Sequence, residues 1–307
     1  MIKSITTLLM LVISIAICAQ NLPLTNEAAK LCQEKDFEAA KTKIAEALSN
    51  EEESADAYSW YVAGFIYKEC YKNLETGKRE SPYRVLAAEH FEKSLELDKP
   101  KNHIVNIRIG LKYIATTFYN DALMRIREMD NGDEVAAEKD FNMFRKLMRI
   151  AEPGCDLNQY DKDYHQTAGQ QFFDLWKLNP DNEDYTKRSL SHFQEAILKD
   201  QNDCMLYYNV GVLQYNRAVF LYRSINADTE LDVLMDIQIR ASGLLKTEAL
   251  PFMEKADKLC PEHGEILKGL LYIHKGLEHE TDVTYFKEEI ERLINEGQMK
   301  SLKPGNK

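Results

Sequence analysis

Apolar positions along the chain recur at intervals of three and four. Between residues 28 and 48 they are Ala28, Leu31, Cys32, Phe37, Ala40, Ile44, Ala47 and Leu48, the spacing of one buried helix face. Asp36 stands where its carboxylate can accept a free backbone N–H in the first turn of the second of these helices. No stretch shows the sustained apolar–polar alternation of a strand bounded by turn signals. The pattern predicts an all-α fold.

A longer-range repeat lies over the helical period. Trp60-Tyr61-Val62-Ala63-Gly64-Phe65-Ile66-Tyr67 places a glycine after a small residue and an aromatic three positions later. The frame returns as Ile109-Gly110 with Tyr113, Ala168-Gly169 with Phe172, Val210-Gly211 with Gln214 and Tyr215, and Lys268-Gly269 with Tyr272. A glycine inside a helix costs about 1 kcal/mol relative to alanine. Its recurrence therefore predicts that Gly64, Gly110, Gly169, Gly211 and Gly269 are repeat-packing positions, where a neighbouring helix comes too close for a Cβ. Second helices follow with their own frame: Ala40…Ile44…Ala47, Ala87…Phe91…Ser94, Ser189…Phe193…Ala196 and Ala249…Met253…Ala256. Several close at helix stops such as Asp98-Lys99-Pro100 and Cys260-Pro261, since proline cannot continue a helix.

The alternation resembles tetratricopeptide (TPR) repeats, whose frame is W-x2-L-G-x2-Y…A-x3-F…A…P. Residues 58–67 match its first half, with Ala63 in place of Leu, and 249–261 its second half, with Met253 in place of the aromatic. The resemblance covers most of residues 25–296. It implies a helical-hairpin solenoid of about six pairs: 25–50, 55–99, 103–151, 161–200, 203–260 and 263–296. Successive glycines are 46, 59, 42 and 58 residues apart, against a family period of about 34. Long irregular insertions are expected at 72–82, 128–134 and 225–247, the last holding enough apolar residues for an extra helix.

In such solenoids the first helix of each pair lines the concave, partner-binding face. The resemblance thus implies a face of Tyr58, Tyr61, Phe65, Lys68, Gln166, Gln170, Tyr208, Val212, Tyr215 and Asn216. Tyrosine offers large contact area with a polar tip, but the same spacing also serves a core, and both uses stay open. Chaperone-binding TPR domains hold a carboxylate with repeated Lys, Arg and Asn. Here only Lys68, Asn209 and Asn216 are on offer, and no such clamp is expected.

Residues 1–19 carry one charge, Lys3, followed by an uncharged, mostly apolar run ending at Cys18-Ala19. This reads as a secretory signal peptide cleaved after Ala19; Ile17, where a lipoprotein signal wants a small residue, argues against lipidation of Cys18. The segment resembles export signals of Bacteroidetes-type Gram-negative bacteria. The expected organisation is a leader over 1–19, a helical domain over 20–297 and a disordered tail over 298–307. The periplasm or another exported location is expected, with no integral membrane span after cleavage.

The 39 Lys and Arg against 50 Asp and Glu give a net charge of −11, which argues against nucleic acid, because phosphate binding needs a basic face. Cys32, Cys70, Cys155, Cys204 and Cys260 show no C-x-x-C spacing; export permits bridges, but spacing cannot pair them. Among the seven histidines there is no H-E-x-x-H, and His274 and His279, five apart, do not stack on one helix face. No metal site or cofactor is expected. Nucleophile-elbow, P-loop and dinucleotide glycine patterns are absent. Asp130-Asn131-Gly132-Asp133-Glu134 has a calcium loop's donors but not its spacing, and is expected to be a helix-connecting turn. Glu51-Glu52-Glu53 is expected to be a solvated turn. The resulting expectation is a non-catalytic scaffold or adaptor that binds a protein or peptide. A glycan or small-ligand binder is the alternative and a helical-barrel enzyme a more distant one.

Overall fold

The computed structural model describes residues 22–99 and 101–298, and within them the chain is all-helical, with no strand. The expected leader, with Cys18, and residues 299–307 of the expected tail lie outside the described residues. No described helix is long and apolar enough to cross a membrane. Contacts divide the chain into two compact units. One holds the described residues through Ala122 together with Val135–Cys155, the other Leu123–Glu134 and the residues from Asp156 onward.

The first unit begins with α1 (Pro23–Gln33), α2 (Phe37–Ser49) and a single turn, α3 (Glu51–Ser54). α4 (Ala57–Leu74) and α5 (Pro82–Leu97) follow, then most of α6 (Ile104–Glu128) and all of α7 (Val135–Ala151). α1 packs on α2, α2 on α4, and α4 on α5. The α1–α2 corner is closed by Lys35 in the left-handed region (φ 66°). Asp36 N–H reaches Leu31 O at 3.0 Å and Lys35 N–H reaches Cys32 O at 3.1 Å, the paired bonds of a Schellman stop. Asp36 then accepts from Ala39 N at 3.1 Å and caps α2.

Glu53 departs from the sequence expectation. It is buried, not solvated. Its carboxylate accepts from Leu24 N (3.0 Å), Thr25 N (2.8 Å) and Thr25 Oγ1 (2.7 Å). It therefore caps the exposed amides of α1 from across the chain, where the helix dipole favours a negative charge.

The glycine frame has a specific geometry. A Cβ on Gly64 would lie 2.5 Å from the Phe91 ring, and one on Gly110 would lie 2.7 Å from the same ring. One phenyl group from α5 thus fills space left by glycines of two first helices. Two turns earlier on α5, Arg84 is fully buried, with Nη1 2.6 Å from Asp121 Oδ2 and its guanidinium 4.2 Å from the Phe118 ring centre. His90, also on α5, sits between the rings of Trp60 and Tyr67, at 5.5 and 5.2 Å.

Burial lowers the pKa of His90 from 6.5 to about 4. The unfolded chain therefore takes the proton first as pH falls below about 6.5, and stability drops from there toward pH 4. Urea unfolding at pH 5 should give a free energy about 1 to 2 kcal/mol below that at pH 7 from this group, with partial exposure keeping the loss modest. His90→Leu should flatten that part of the profile. An unchanged pH slope in the variant would show that His90 is not responsible.

The second unit contains α8 (Asn158–Leu178), α9 (Glu183–Lys199), α10 (Cys204–Arg223), α11 (Leu231–Gly243), α12 (Leu250–Leu259), α13 (Gly264–Gly276) and α14 (Glu280–Asn295). α8 packs on α9, α10 on α11 and α12, and α13 on α14. The insertion expected at 225–247 does carry a helix. It continues into α12 through a widened π turn over Leu244–Ala249. Pro251 accounts for that turn: its ring would clash with the carbonyl four residues back in a regular helix. Gly169 faces Phe193, with a would-be Cβ 2.8 Å from the ring. Gly211 and Gly269 both face Met253, at 2.9 and 2.5 Å from its methyl.

Cys204 and Cys260 form a disulfide from the start of α10 to the end of α12, while Cys32, Cys70 and Cys155 are free. The bridge closes a long loop in the unfolded chain. Its reduction is expected to lower unfolding stability by about 2 to 4 kcal/mol, read from urea curves with and without reductant. A Cys204→Ser/Cys260→Ser variant that is insensitive to reductant should start from the lower value; equal stability of variant and oxidised chain would contradict this.

Candidate functional site

The residues expected on a binding face behave differently in the two units. In the first, Tyr61 is stacked on His103 (ring centres 5.0 Å apart, planes 9° apart), and Tyr58 lies 5.5 Å from the same imidazole. Burial raises the Tyr61 pKa, against a hydrogen bond with Asn106 that lowers it. Lys68 lies 4.4 Å over the Phe65 ring and pairs with Glu69, so its charge is already matched. Tyr58, Tyr61 and Phe65 all pack against the core formed by α1, α2 and α4.

In the second unit Tyr208, Val212 and Tyr215 pack against the core cluster that includes Leu245, Met253 and Leu270. Burial raises the pKa of both tyrosines. Asn216 donates to Val212 O at 2.8 Å. Gln166 and Gln170 instead line an open cavity of about 350 Å³ with Arg127, Gln171, Asp174 and Asn209. Gln166, Gln170 and Asp174 are spaced by four, so they share one face of α8. That spacing was available in the sequence; the arrival of Arg127 from α6 was not. The cavity is rich in amides, each able to donate and accept.

α11 presents a second feature. Leu231, Met235 and Ile239 are 72, 54 and 69% exposed. Their spacing of four puts them on one stripe. Ala241 on the same helix is fully buried, and Leu234 and Ile237 are partly so. Asp232, Asp236 and Arg240 run between the two apolar faces, with Asp236 and Arg240 3.7 Å apart. α11 is therefore apolar on an inner and an outer face. The sequence predicted an extra helix here from its apolar residues and assigned it no face.

Both tryptophans are tied into the fold, Trp60 half-buried and Trp176 at the wall of a cavity it shares with Arg217, Phe220 and Leu244. Trp176 is 5% exposed and donates to Pro180 O at 3.1 Å. Trp60 donates to Ser54 O at 2.7 Å and is partly covered by His90.

The 130–134 segment is a turn tied to α8 and α9. Gln171 Nε2 donates to Met129 O at 2.6 Å, and Arg188 donates to Gly132 O at 2.5 Å. Glu134 accepts from Arg188 and lies 2.9 Å from His192 Nε2, whose Nδ1 is 3.0 Å from His165 Nδ1. Burial would raise the Glu134 pKa. The hydrogen bonds and charges of His192 and Arg188 overcome that and bring it to about 2. The carboxylate is a structural anchor for the turn.

His274 and His279 are not on one helix face, as expected, yet they meet. Their Nδ1 atoms are 3.1 Å apart across the α13–α14 corner. No family model matches the chain, and no curated protein matches it in sequence.

Proposed function

We propose that the chain is a non-catalytic, TPR-like helical-hairpin scaffold that binds a partner protein outside the cytoplasm. The single observation that carries this is the outer apolar stripe of α11, Leu231, Met235 and Ile239. An apolar stripe on the solvent side of a helix whose other side is already packed is the kind of exposed patch that marks an interaction surface. The charged border of Asp232, Asp236 and Arg240 suits the rim of a protein interface. The glycine positions that face Phe91, Phe193 and Met253 support the repeat reading. The Cys204–Cys260 bridge supports an oxidising, exported location. The amide cavity of Gln166, Gln170 and Asn209 suits an extended peptide segment of the same partner. A glycan as ligand is less well supported, because Trp176 is 5% exposed and His90 lies against the Trp60 ring, so little indole face is free for a sugar.

The test is retention of a stoichiometric partner by the affinity-tagged full chain from its own cell envelope. Met235→Gln/Ile239→Gln should abolish retention while leaving the helical circular-dichroism spectrum unchanged, since both side chains face solvent. Gln166→Ala/Gln170→Ala should weaken it less. Full retention by the α11 variant would contradict the reading.

A further inference from the structure

The α13–α14 corner carries a set of donors that nothing in the scaffold reading requires. α13 ends in a Schellman stop. Glu278 takes the left-handed region (φ 59°), Glu278 N–H bonds Lys275 O at 3.3 Å, and His279 N–H bonds His274 O at 3.0 Å. This motif brings the third-from-last helical residue against the second residue beyond the helix cap. Those two positions are occupied here by His274 and His279. His279 is also the N-cap of α14, and Asp282 is the third residue of that helix, one turn along on the same side. The backbone thus converges two imidazoles and a carboxylate without any long-range packing.

The separations are those of ligands around one ion. His274 Nδ1 and His279 Nδ1 are 3.1 Å apart, and Asp282 Oδ2 is 3.5 and 3.9 Å from them. Zinc bonds of about 2.0–2.1 Å in a tetrahedral site place ligand atoms about 3.3 Å from one another. His274 is buried and stacked on Phe286, with planes 23° apart and ring centres 5.4 Å apart, which fixes one ligand. His279 and Asp282 have half-exposed side chains, which leaves a path for the ion and room for water as a fourth ligand. We propose that His274, His279 and Asp282 form a binding site for a divalent late first-row cation, with Zn²⁺ the expected occupant. Two imidazoles favour such ions over Ca²⁺ or Mg²⁺, which prefer all-oxygen shells.

The experiment is calorimetric titration of the untagged, oxidised full chain with Zn²⁺ alone, paralleled by Co²⁺ and its visible absorption. One equivalent should bind, and the Co²⁺ complex should show the intense bands of a four-coordinate site. His279→Ala and Asp282→Asn alter exposed side chains and should fold normally. Each should weaken Zn²⁺ binding by about tenfold or more. Ca²⁺ at equal concentration should give no comparable binding. The absence of one-to-one Zn²⁺ binding to the unaltered chain would overturn the proposal, as would unchanged affinity in folded His279→Ala.

Discussion

Phe91→Ala is expected to lower unfolding stability by about 4 kcal/mol in urea titration. The ring is 1% exposed and fills the gap at both Gly64 and Gly110. Truncation elsewhere in a core can be softened when neighbouring side chains move in. Here two of the lining positions have no side chain to move, so the cavity stays open and its cost is not relieved. Phe91→Leu should recover much of the loss. Gly64→Ala should also destabilise, by about 1 to 3 kcal/mol, because its Cβ would strike a rigid ring. Gly269→Ala should cost less, because the obstruction there is the end of a flexible methionine, Met253. A loss under about 1 kcal/mol for Phe91→Ala would mean the helices can close over the gap.

Asp121→Ala is expected to cost about 3 to 5 kcal/mol. Arg84 is fully buried; its Nη1 meets Asp121 at 2.6 Å, Nη2 donates to Arg79 O, and Nε has no hydrogen-bond partner. Tyr71 and Phe118 flank the guanidinium at 5.2 and 4.2 Å, which leaves little water to share the charge. Removing the carboxylate strands a cation in this setting. Replacing both partners, as Arg84→Met/Asp121→Leu, removes the charge with its counter-charge and should restore most of the stability. A double variant no better than Asp121→Ala would show that the pair contributes more than mutual neutralisation.

The all-helical fold was legible because apolar spacing and the glycine frame repeat over short distances. Gly64, Gly110, Gly169, Gly211 and Gly269 could be selected from 13 glycines because each sits at one point of a pattern. Asp36 could be identified as a cap because its partner amide lies three residues away. What escaped was fixed by contacts remote in sequence or by unusual backbone. Glu53 caps a helix that starts 30 residues before it, and no local signal marks it. The Cys204–Cys260 pairing depends on how α10 meets α12. His274 and His279 meet because Glu278 adopts positive φ, a conformation usually announced by glycine. The tyrosines at 58, 61, 208 and 215 had a spacing compatible with groove or core, and the structure packs them against core clusters. The outer stripe of α11 was visible only once the inner face had been identified by its burial.

The proposed scaffold role is tested most directly by a photo-crosslinking residue placed at Met235 in the full chain, made in its own cells. A control at Glu195, exposed on α9, accompanies it. One discrete adduct with another protein is expected from position 235 and none from position 195. No adduct from 235, or the same adducts from both positions, would contradict it.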